Sequence, residues 1–563
     1  MTDAARRIAD WIAGGVLFAA TSAVVLWQNA RLTVLWDLSY ILENASRIAG
    51  GDIPYRDFAM PYAPGTFLVQ AAIIRLFGRS IAHHIAWAAV AGGAATVVTW
   101  YIIRRLLPDT IGARIIAFLL AAPLAILGIY CIVPHPFYDP DTCLVLLLMI
   151  AALLGAERRG LDRRWAFCAG LLGALLPFIK QNVGLIVLVV VAAGVTLLIA
   201  VEPDRARRRG LGMVLAGSAA GSLLGLAVVT FVFGFDNYVH WTIRFAAARR
   251  LPPLSTQFEI YDDPTLAWWL VCAIAGGVAM IWRGRGAKYI APAGTAVAAA
   301  PLVWIWYSDF TTFDPVEPEI NLLRLWPLAL VLAAIIGVAA WRKERTLVTL
   351  LPIILIAAIH ASFLSQSTWG STYGIWPLLV VIAALALRGA ASQRPVLAVV
   401  IAAVLAATLL RSGWRYVGEN ERLTYAKVME GEAHRSSLPA LRGMVMRGEW
   451  LPEFEQLVSW TNVHVPRSDG VLCLPGEDLF WFATGRQPRF PVVMFDRTVN
   501  PYSAEEIATL AQTRGIRWVI VKKRLQINGE PMADLSRTVA LLQRRYTLTA
   551  RLSNYDVWYC CAP

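Results

Sequence analysis

The chain has 563 residues, of which 58% are hydrophobic and only 16% are charged. Soluble proteins carry roughly 25% charged residues, so this composition excludes an ordinary soluble protein. The formal net charge is +13, but many Arg and Lys residues lie in short clusters between apolar runs. Such a distribution is typical of membrane topology rather than of nucleic-acid binding. We therefore expect membrane lipids, and no nucleic acid, among the partners.

Thirteen apolar segments are long enough to cross a membrane, which takes about 17 to 20 residues or slightly fewer where polar flanks extend the ends. The predicted spans are 11–28, 82–103, 112–133, 141–157, 165–180, 183–201, 210–233, 265–282, 289–307, 326–341, 346–364, 374–388 and 395–411. Every second connecting loop is then rich in Arg and Lys, which places those loops and the N-terminus in the cytoplasm. The sequence predicts a multi-pass membrane protein whose N-terminus is cytoplasmic and whose C-terminal region is extracytoplasmic.

One further apolar segment, Pro64 to Phe77, is short and ends in Arg75 and Arg79. Counting it as a span would move every later basic loop to the outer side. The charge pattern therefore favours an interfacial helix that lies along the outer surface.

The composition changes after residue 411, where the chain becomes charged and contains Pro. We expect a transmembrane bundle over 1–411 and an extracytoplasmic α/β domain over 412–563. In the second region the sequence predicts strands over 470–474, 516–521 and 555–559 and helices over 503–513 and 535–544. The pattern leaves open whether Cys473 forms a disulfide with Cys560 or with Cys561.

Acidic residues follow the first and third predicted spans, in Trp36-Asp37 and in Phe137-Tyr138-Asp139-Pro140-Asp141. The predicted topology brings both stretches to the same outer face. Carboxylates at the mouth of a membrane bundle are costly to hold near lipid, so they are candidates for function. The plain alternative is that each Asp only caps the start of a helix.

The first outer loop also carries three short motifs: Trp36-Asp37-Leu38-Ser39-Tyr40, Gly51-Asp52-Ile53-Pro54-Tyr55-Arg56-Asp57-Phe58 and Tyr62-Ala63-Pro64-Gly65. Together with the later acidic stretch they resemble GT-C-fold glycosyltransferases, in particular bacterial enzymes of the aminoarabinose-transferase and protein-mannosyltransferase type. The resemblance implies a polytopic α-helical bundle of about 13 transmembrane helices with a small C-terminal α/β domain. It also implies transfer of a sugar from a polyprenyl-phosphate donor to an envelope lipid, glycan or protein.

The resemblance assigns catalytic roles to the acidic residues. Asp37 matches the first-loop acidic position and is our candidate for the general base that removes a proton from the acceptor hydroxyl. Asp139 and Asp141 match the region of the second acidic motif. Their Asp-Pro-Asp arrangement departs from the simplest family pattern, so one of them could be structural, or the pair could hold a divalent cation such as Mg or Mn. No other cofactor is expected.

Cationic and aromatic residues of the outer loops complete the candidate site. The departing phosphate needs positive charge, for which Arg is well suited because its planar fork pairs two oxygens. The candidates for donor phosphate binding are Lys180, Arg244, Arg249 and Arg250. The candidates for sugar or acceptor binding are Tyr40, His240, Trp369 and Tyr373. The alternative for the cations is an anchoring role at the lipid interface.

Two other functions fit a membrane protein of this size: a transporter or flippase of lipid-linked saccharides, and a ligase or polymerase that joins them. Transporters commonly show internal repeats and interrupted helices near the membrane midplane. The sequence has no clear repeat, and its acidic groups gather at one face rather than in mid-span. Both features favour an enzyme.

Overall fold

The computed structural model describes residues 3–31, 34–250, 253–311, 317–419, 431–525 and 535–560. Within these ranges, ten helices are long and apolar enough to cross a membrane, and a bent helix pair brings the number to eleven. The ten are Ala4–Asn29, Ile81–Leu106, Tyr138–Arg158, Gln181–Val201, Arg205–Phe233, Ala287–Thr311, Ile320–Lys343, Leu347–Ser365, Trp376–Gln393 and Pro395–Gly418, and the bent pair is Ser255–Tyr261 with Thr265–Met280. The predicted polytopic helical fold is confirmed.

Two of the thirteen predicted spans form shorter helices than expected. The segment 112–133 contains the helices Ile111–Ala121 and Leu124–Leu127, followed by non-helical residues. The segment 165–180 contains the helix Arg163–Leu175 and a single 3-10 turn, Leu176–Phe178. Proline has no backbone N–H to continue the helical hydrogen bonds, so Pro123 and Pro177 account for the early ends. Apolar composition alone did not reveal these breaks.

Two helices lie between the first and second spans. The predicted helix over Pro64 to Phe77 is confirmed as Gly65–Phe77, and Leu35–Gly50 precedes it. Gly51 ends the earlier helix with φ at 112°, and its N–H bonds to the carbonyls of Arg47 and Ile48. Residues with a Cβ rarely adopt this φ, so the glycine fixes where the chain leaves the helix.

The described residues of the C-terminal region contain six strands: β1 (Ala433–Arg435), β2 (Val445–Arg447), β3 (Gly470–Leu474), β4 (Ile516–Lys522), β5 (Thr547–Arg551) and β6 (Tyr555–Tyr559). β1 and β2 form an antiparallel pair, and the other four form a sheet in the order β3-β4-β6-β5, in which only β3 and β4 are parallel. Its helices are Trp450–His464, Phe480–Thr484, Ala504–Thr513 and Leu535–Gln543. The five predicted elements are confirmed; β1, β2, β5 and the helices Trp450–His464 and Phe480–Thr484 had not been predicted.

Cys473 carries a free thiol, so it forms no disulfide with Cys560. Cys561 lies outside the described residues.

The C-terminal region is fixed directly onto the helix Leu35–Gly50. The buried Glu43 carboxylate accepts hydrogen bonds from the backbone N–H of Trp481, at 3.0 Å, and of Phe482, at 3.2 Å. One turn later, Arg47 Nη1 donates to the carbonyl oxygen of Phe490 at 2.9 Å. Both side chains reach from the helix into the C-terminal region, so this region and the bundle form one structure at the end where Asp37 lies.

Glu43 should make folding dependent on pH. Burial, opposed by its two backbone hydrogen bonds, raises the pKa of Glu43 well above its ordinary value. The folded chain then holds a proton that the unfolded chain has lost, so stability falls as the pH rises from about 4.5 towards the raised pKa, by up to about 1.4 kcal/mol per pH unit. We expect Glu43→Gln, which stays neutral, to lose this part of the pH dependence. Thermal unfolding in detergent between pH 4 and 8 measures it; parallel pH profiles for both proteins would contradict the assignment.

Candidate active site

Asp37, Asp139 and Tyr373 come together at the end of the bundle that contacts the C-terminal region. Asp37 lies half-buried in the first turn of the helix Leu35–Gly50, and Asp139 lies in the first turn of Tyr138–Arg158. Burial, together with the negative charges of Asp139 and Asp37, raises the pKa of Tyr373 well above its ordinary value. Tyr373 therefore interacts electrostatically with both carboxylates, as expected if the two acidic stretches share a site.

Asp139 is held by a cation and a phenol. Lys180 Nζ donates to Asp139 Oδ1, and the Tyr373 hydroxyl donates to Oδ2 at 3.1 Å. Both members of the Lys180–Asp139 ion pair are only 5% exposed. Gly374 packs against this carboxylate so closely that a Cβ there would lie 3.2 Å from the Asp139 Cβ. The pair is therefore tightly enclosed.

Asp141 has different neighbours. Its Oδ2 accepts a hydrogen bond from Thr66 Oγ1 at 2.7 Å, and its Oδ1 accepts one from the Tyr130 hydroxyl. Thr66 belongs to the helix Gly65–Phe77, so the Asp141 carboxylate joins this helix to the start of Tyr138–Arg158. The two Asp residues on either side of Pro140 thus contact separate groups.

A cavity of about 200 Å³ opens beside Lys180. Its walls come from the loop after the first span, from the start of the helix Gln181–Val201, from the segment around Thr242 and from the helix Leu347–Ser371. The residues that line it are Pro61, Tyr62, Tyr138, Lys180, Gln181, Asn182, Leu185, Thr242, Ile243, Ala246, Ala247, Leu364 and Ser365. It presents one buried ammonium group among apolar and aromatic walls, which suits a phosphate attached to a lipid.

Gln181 holds three of these walls together. Its Oε1 accepts a hydrogen bond from the N–H of Ala63 at 3.2 Å, and its Nε2 donates to the carbonyls of Pro61 and Thr242, each at 3.1 Å. The sequence analysis gave this residue no role. A Gln beside a Lys carries no recognisable motif, and only the tertiary structure brings its three partners within reach.

Aromatic rings continue the site from Lys180 towards the helix that carries Asp37. The rings of Tyr138 and Tyr62 stack at 4.8 Å, and Tyr62 meets the buried Tyr40 edge to face at 5.2 Å. Lys180 Nζ lies 5.7 Å from the centroid of the Tyr138 ring, within the range of a cation–π contact. The Phe137 ring stacks on Tyr138 at 4.2 Å and lies 5.8 Å from the ring of Tyr373. Tyr40 and Tyr373, both predicted to bind sugar or acceptor, therefore belong to one aromatic cluster.

Two of the other predicted cations, Arg244 and Arg249, do not line the cavity beside Lys180. Both are exposed, although Thr242, Ile243 and Ala246 of the same segment line it. Arg249 Nη1 instead donates to the carbonyl of Arg497 in the C-terminal region at 3.0 Å.

His240 is exposed as well, and its ring lies 4.7 Å from that of Trp241. The side chains of Arg250 and Trp369 lie outside the described residues.

The described residues contain no group of three or more His, Cys, Asp or Glu side chains placed to hold a metal ion. Asp139 already accepts from an ammonium and a phenol, and Asp141 accepts from two hydroxyls. The donor chemistry around this pair therefore does not fit a cation held between Asp139 and Asp141, which the sequence analysis had left open.

No known protein-family model matches the sequence, and no curated protein matches it. Two crystal structures of the oligosaccharyltransferase of Archaeoglobus fulgidus do resemble the chain, one tethered to an acceptor peptide and one in complex with Zn and sulfate. They superpose with TM-scores of 0.53 and 0.52 at 12% identity, and the match covers 96% of this chain and 74% and 73% of theirs.

A third match is ArnT from Cupriavidus metallidurans bound to undecaprenyl phosphate, with a TM-score of 0.45 and 15% identity over 97% of both chains. The oligosaccharyltransferase superpositions extend over nearly the whole chain. The chain is a multi-pass membrane protein with a GT-C-like fold, as its first-loop motifs predicted.

Proposed function

We propose that the protein is a membrane glycosyltransferase that moves a sugar from a polyprenyl-phosphate donor to an envelope lipid, glycan or protein. The observation that carries this proposal is the buried Lys180–Asp139 pair, which borders a lined cavity at the same end of a GT-C-like bundle as Asp37. A buried cation beside a cavity is what a leaving phosphate needs, and a nearby carboxylate is what an attacking hydroxyl needs.

The proposed reaction is a single displacement. The acceptor hydroxyl oxygen forms a bond to the anomeric carbon while the bond from that carbon to the donor phosphate oxygen breaks, and the phosphate leaves with the electron pair. Asp37 takes the proton of the attacking hydroxyl as general base. Lys180 stabilises the charge that develops on the leaving phosphate.

Asp139 acts through Lys180 in this proposal. A lysine ammonium has three N–H donors, of which Asp139 accepts one, so two remain for phosphate oxygens on the cavity side. Asp139 also keeps the ammonium in place when the donor is absent. Asp141, bonded to Thr66 and Tyr130, is then a positioning residue that fixes the start of the helix.

The other assignments from the sequence remain part of the proposal. The basic loops would face the cytoplasm, and the C-terminal domain and the active site would face the outer side of a bacterial inner membrane. Tyr40 and Tyr373 would contact the sugar or the acceptor from the aromatic cluster. His240 and the exposed Arg244 and Arg249 would act at the rim of the cavity, where a long donor could still reach them.

Transfer in detergent tests the function. Purified protein is incubated with a polyprenyl-phosphate sugar carrying a radioactive label and with an extract of envelope lipids and glycans. We expect the label to move into a product that no longer contains polyprenyl phosphate. A flippase could not do this, because no membrane barrier is present. Lack of transfer across a panel of donor sugars, from protein that binds those donors, would contradict an enzymatic function.

A further inference from the structure

A second cavity, of about 410 Å³, lies at the opposite end of the bundle from Asp139. The ends of two spanning helices, Gln181–Val201 and Ile320–Lys343, border it. The first of these helices begins next to Lys180 and has 21 residues, so its far end lies roughly 30 Å from the candidate active site. The cavity is therefore separate from the site of the proposed reaction.

The charge of this cavity is positive. Arg342, Lys343 and Arg345 line it, all three side chains are exposed, and none pairs with a carboxylate within the described part of the chain. The carboxylate that also lines the cavity, Glu202, pairs with Arg207 at 2.9 Å. Glu344, an exposed neighbour in the chain, offsets one positive charge only. Three cations thus line an open cavity, and the side chains around it carry a net positive charge.

The other walls of the cavity are apolar. Leu198 and Val201 come from one spanning helix and Trp341 from the other. Val201 is 41% exposed although it belongs to a helix long enough to span the membrane. Tryptophan is enriched where a span meets the headgroup layer, which fits the place of Trp341 at a helix end. The cavity thus joins a cationic mouth to an apolar surface along two spans.

This combination matches one class of ligand. A phospholipid carries an anionic phosphate at the headgroup level and acyl chains that run along the spans, and basic pockets between transmembrane helices bind such headgroups. A soluble anion would use the three cations but not the apolar wall. Cations that only anchor a helix end extend towards the interface and require no cavity between two helices.

We infer that this basic cavity binds the headgroup of an anionic phospholipid, with Arg342, Lys343 and Arg345 pairing its phosphate and Val201 and Trp341 contacting its acyl chains. The inference does not depend on the proposed glycosyl transfer, because it rests on residues at the other end of the bundle.

Native mass spectrometry of the detergent-solubilised full chain tests the site, with phosphatidylglycerol as the anionic lipid and phosphatidylcholine as the neutral comparison. We expect the wild-type protein to bind phosphatidylglycerol in preference. The triple variant Arg342→Ala/Lys343→Ala/Arg345→Ala should bind it on the order of 100-fold more weakly, from about a factor of five per cation. The matched control Arg163→Ala/Arg164→Ala/Arg285→Ala removes three exposed cations of other basic loops and should retain binding.

Three outcomes would overturn the inference: equal losses in both triple variants, equal binding of the two lipids, or displacement of the lipid by inorganic phosphate at similar concentration, which would indicate a site for a soluble anion. A second measurement does not depend on how the triple variant folds. Brominated phosphatidylglycerol should quench the fluorescence of the wild-type protein more than that of Trp341→Phe. Equal quenching of the two would also overturn the inference.

Discussion

Replacing Asp37 with Asn should reduce sugar transfer by roughly 10²- to 10⁴-fold, which is the usual contribution of a general base. Asn has nearly the same shape, so the helix Leu35–Gly50 and its contacts with the C-terminal region should persist. The variant cannot accept a proton, and it should therefore bind the donor lipid with nearly unchanged affinity while transferring the sugar at this much lower rate. Single-turnover transfer and donor binding, measured on the same preparation, separate the two effects.

The matched control for this experiment is Asp236→Asn. Asp236 is an exposed acid at the start of the helix Phe235–Val239, which precedes the segment that lines the cavity. Its replacement removes the same charge without touching the proposed base, so transfer should stay within about twofold of wild type. A rate for Asp37→Asn that equals the control rate would eliminate Asp37 as the base. A loss of donor binding in Asp37→Asn would instead assign its carboxylate to substrate binding.

The pH dependence of the transfer rate is a second test of Asp37 as the general base. If Asp37 is the base, transfer by the wild-type protein should fall at acidic pH as its carboxylate gains a proton. The residual transfer by Asp37→Asn should lack this acidic limb. Asp37→Glu keeps the base but moves it by one methylene, so it should retain the limb with a lower maximum rate. An identical acidic limb in all three proteins would place the titrating group elsewhere.

The sequence predicted the secondary structure well where local signals were strong. The helix Ala504–Thr513 begins with a reciprocal capping box between Ser503 and Glu506, a pattern that the residues themselves display. β4 is a run of β-branched and aromatic residues, and it forms the parallel partner of β3 as such buried strands commonly do. The charge pattern of the loops likewise predicted that Asp37 and Asp139 share one end of the bundle.

Contacts between distant residues could not be predicted in the same way. Lys180 and Asp139 are 41 positions apart, and nothing local to either residue indicates the other. Lys522 is similar: it looks like a surface lysine in the sequence, yet it is 2% exposed and its Nζ lies 2.8 Å from Asp478. Such pairs depend on how elements pack, which hydrophobic periodicity does not encode.

Arg244 belongs to a segment that lines the cavity, yet its own side chain is not part of the lining. This segment, which the sequence analysis proposed for phosphate binding, lines the cavity through Thr242 and Ile243 rather than through Arg244. Residues His240–Phe245 form a π-helical turn, whose wider spacing rotates side chains relative to an α-helix. The usual 3.6-residue period therefore does not predict which side chains face the site.

The second large effect concerns the Lys180–Asp139 pair itself. Lys180→Met should leave the Asp139 carboxylate buried without its cation, at a cost of about 3 to 5 kcal/mol in folding free energy. It should also lower the transfer rate by about 10²- to 10³-fold, because the leaving phosphate loses a preorganised donor. Thermal unfolding in detergent and single-turnover transfer measure the two losses. Taken alone, this variant does not distinguish a damaged fold from a damaged site.

The double variant Lys180→Met/Asp139→Leu makes that distinction. Replacing both members of a buried ion pair with apolar residues of similar volume is often neutral or stabilising, so most of the lost stability should return. Transfer should not return, because Lys180 no longer supplies its positive charge to the cavity. Arg517→Met provides the control: Arg517 lies on β4, is 46% exposed, pairs with Asp469 at 3.2 Å and is not among the residues that line the cavity. Loss of this pair should change stability by about 1 kcal/mol or less and leave transfer intact.

Stability and transfer, measured in the single and the double variant, together identify the role of the Lys180–Asp139 pair. Stability that returns in the double variant while transfer stays absent is the result expected of a cation that acts on the donor phosphate. Recovery of transfer along with stability would mean that Lys180 only neutralises Asp139, and the phosphate would then have to meet another cation. Arg244 and Arg249 are the nearest candidates by segment, so Arg249→Ala combined with the double variant would decide between them. The buried pair, rather than either residue alone, is therefore the unit to test.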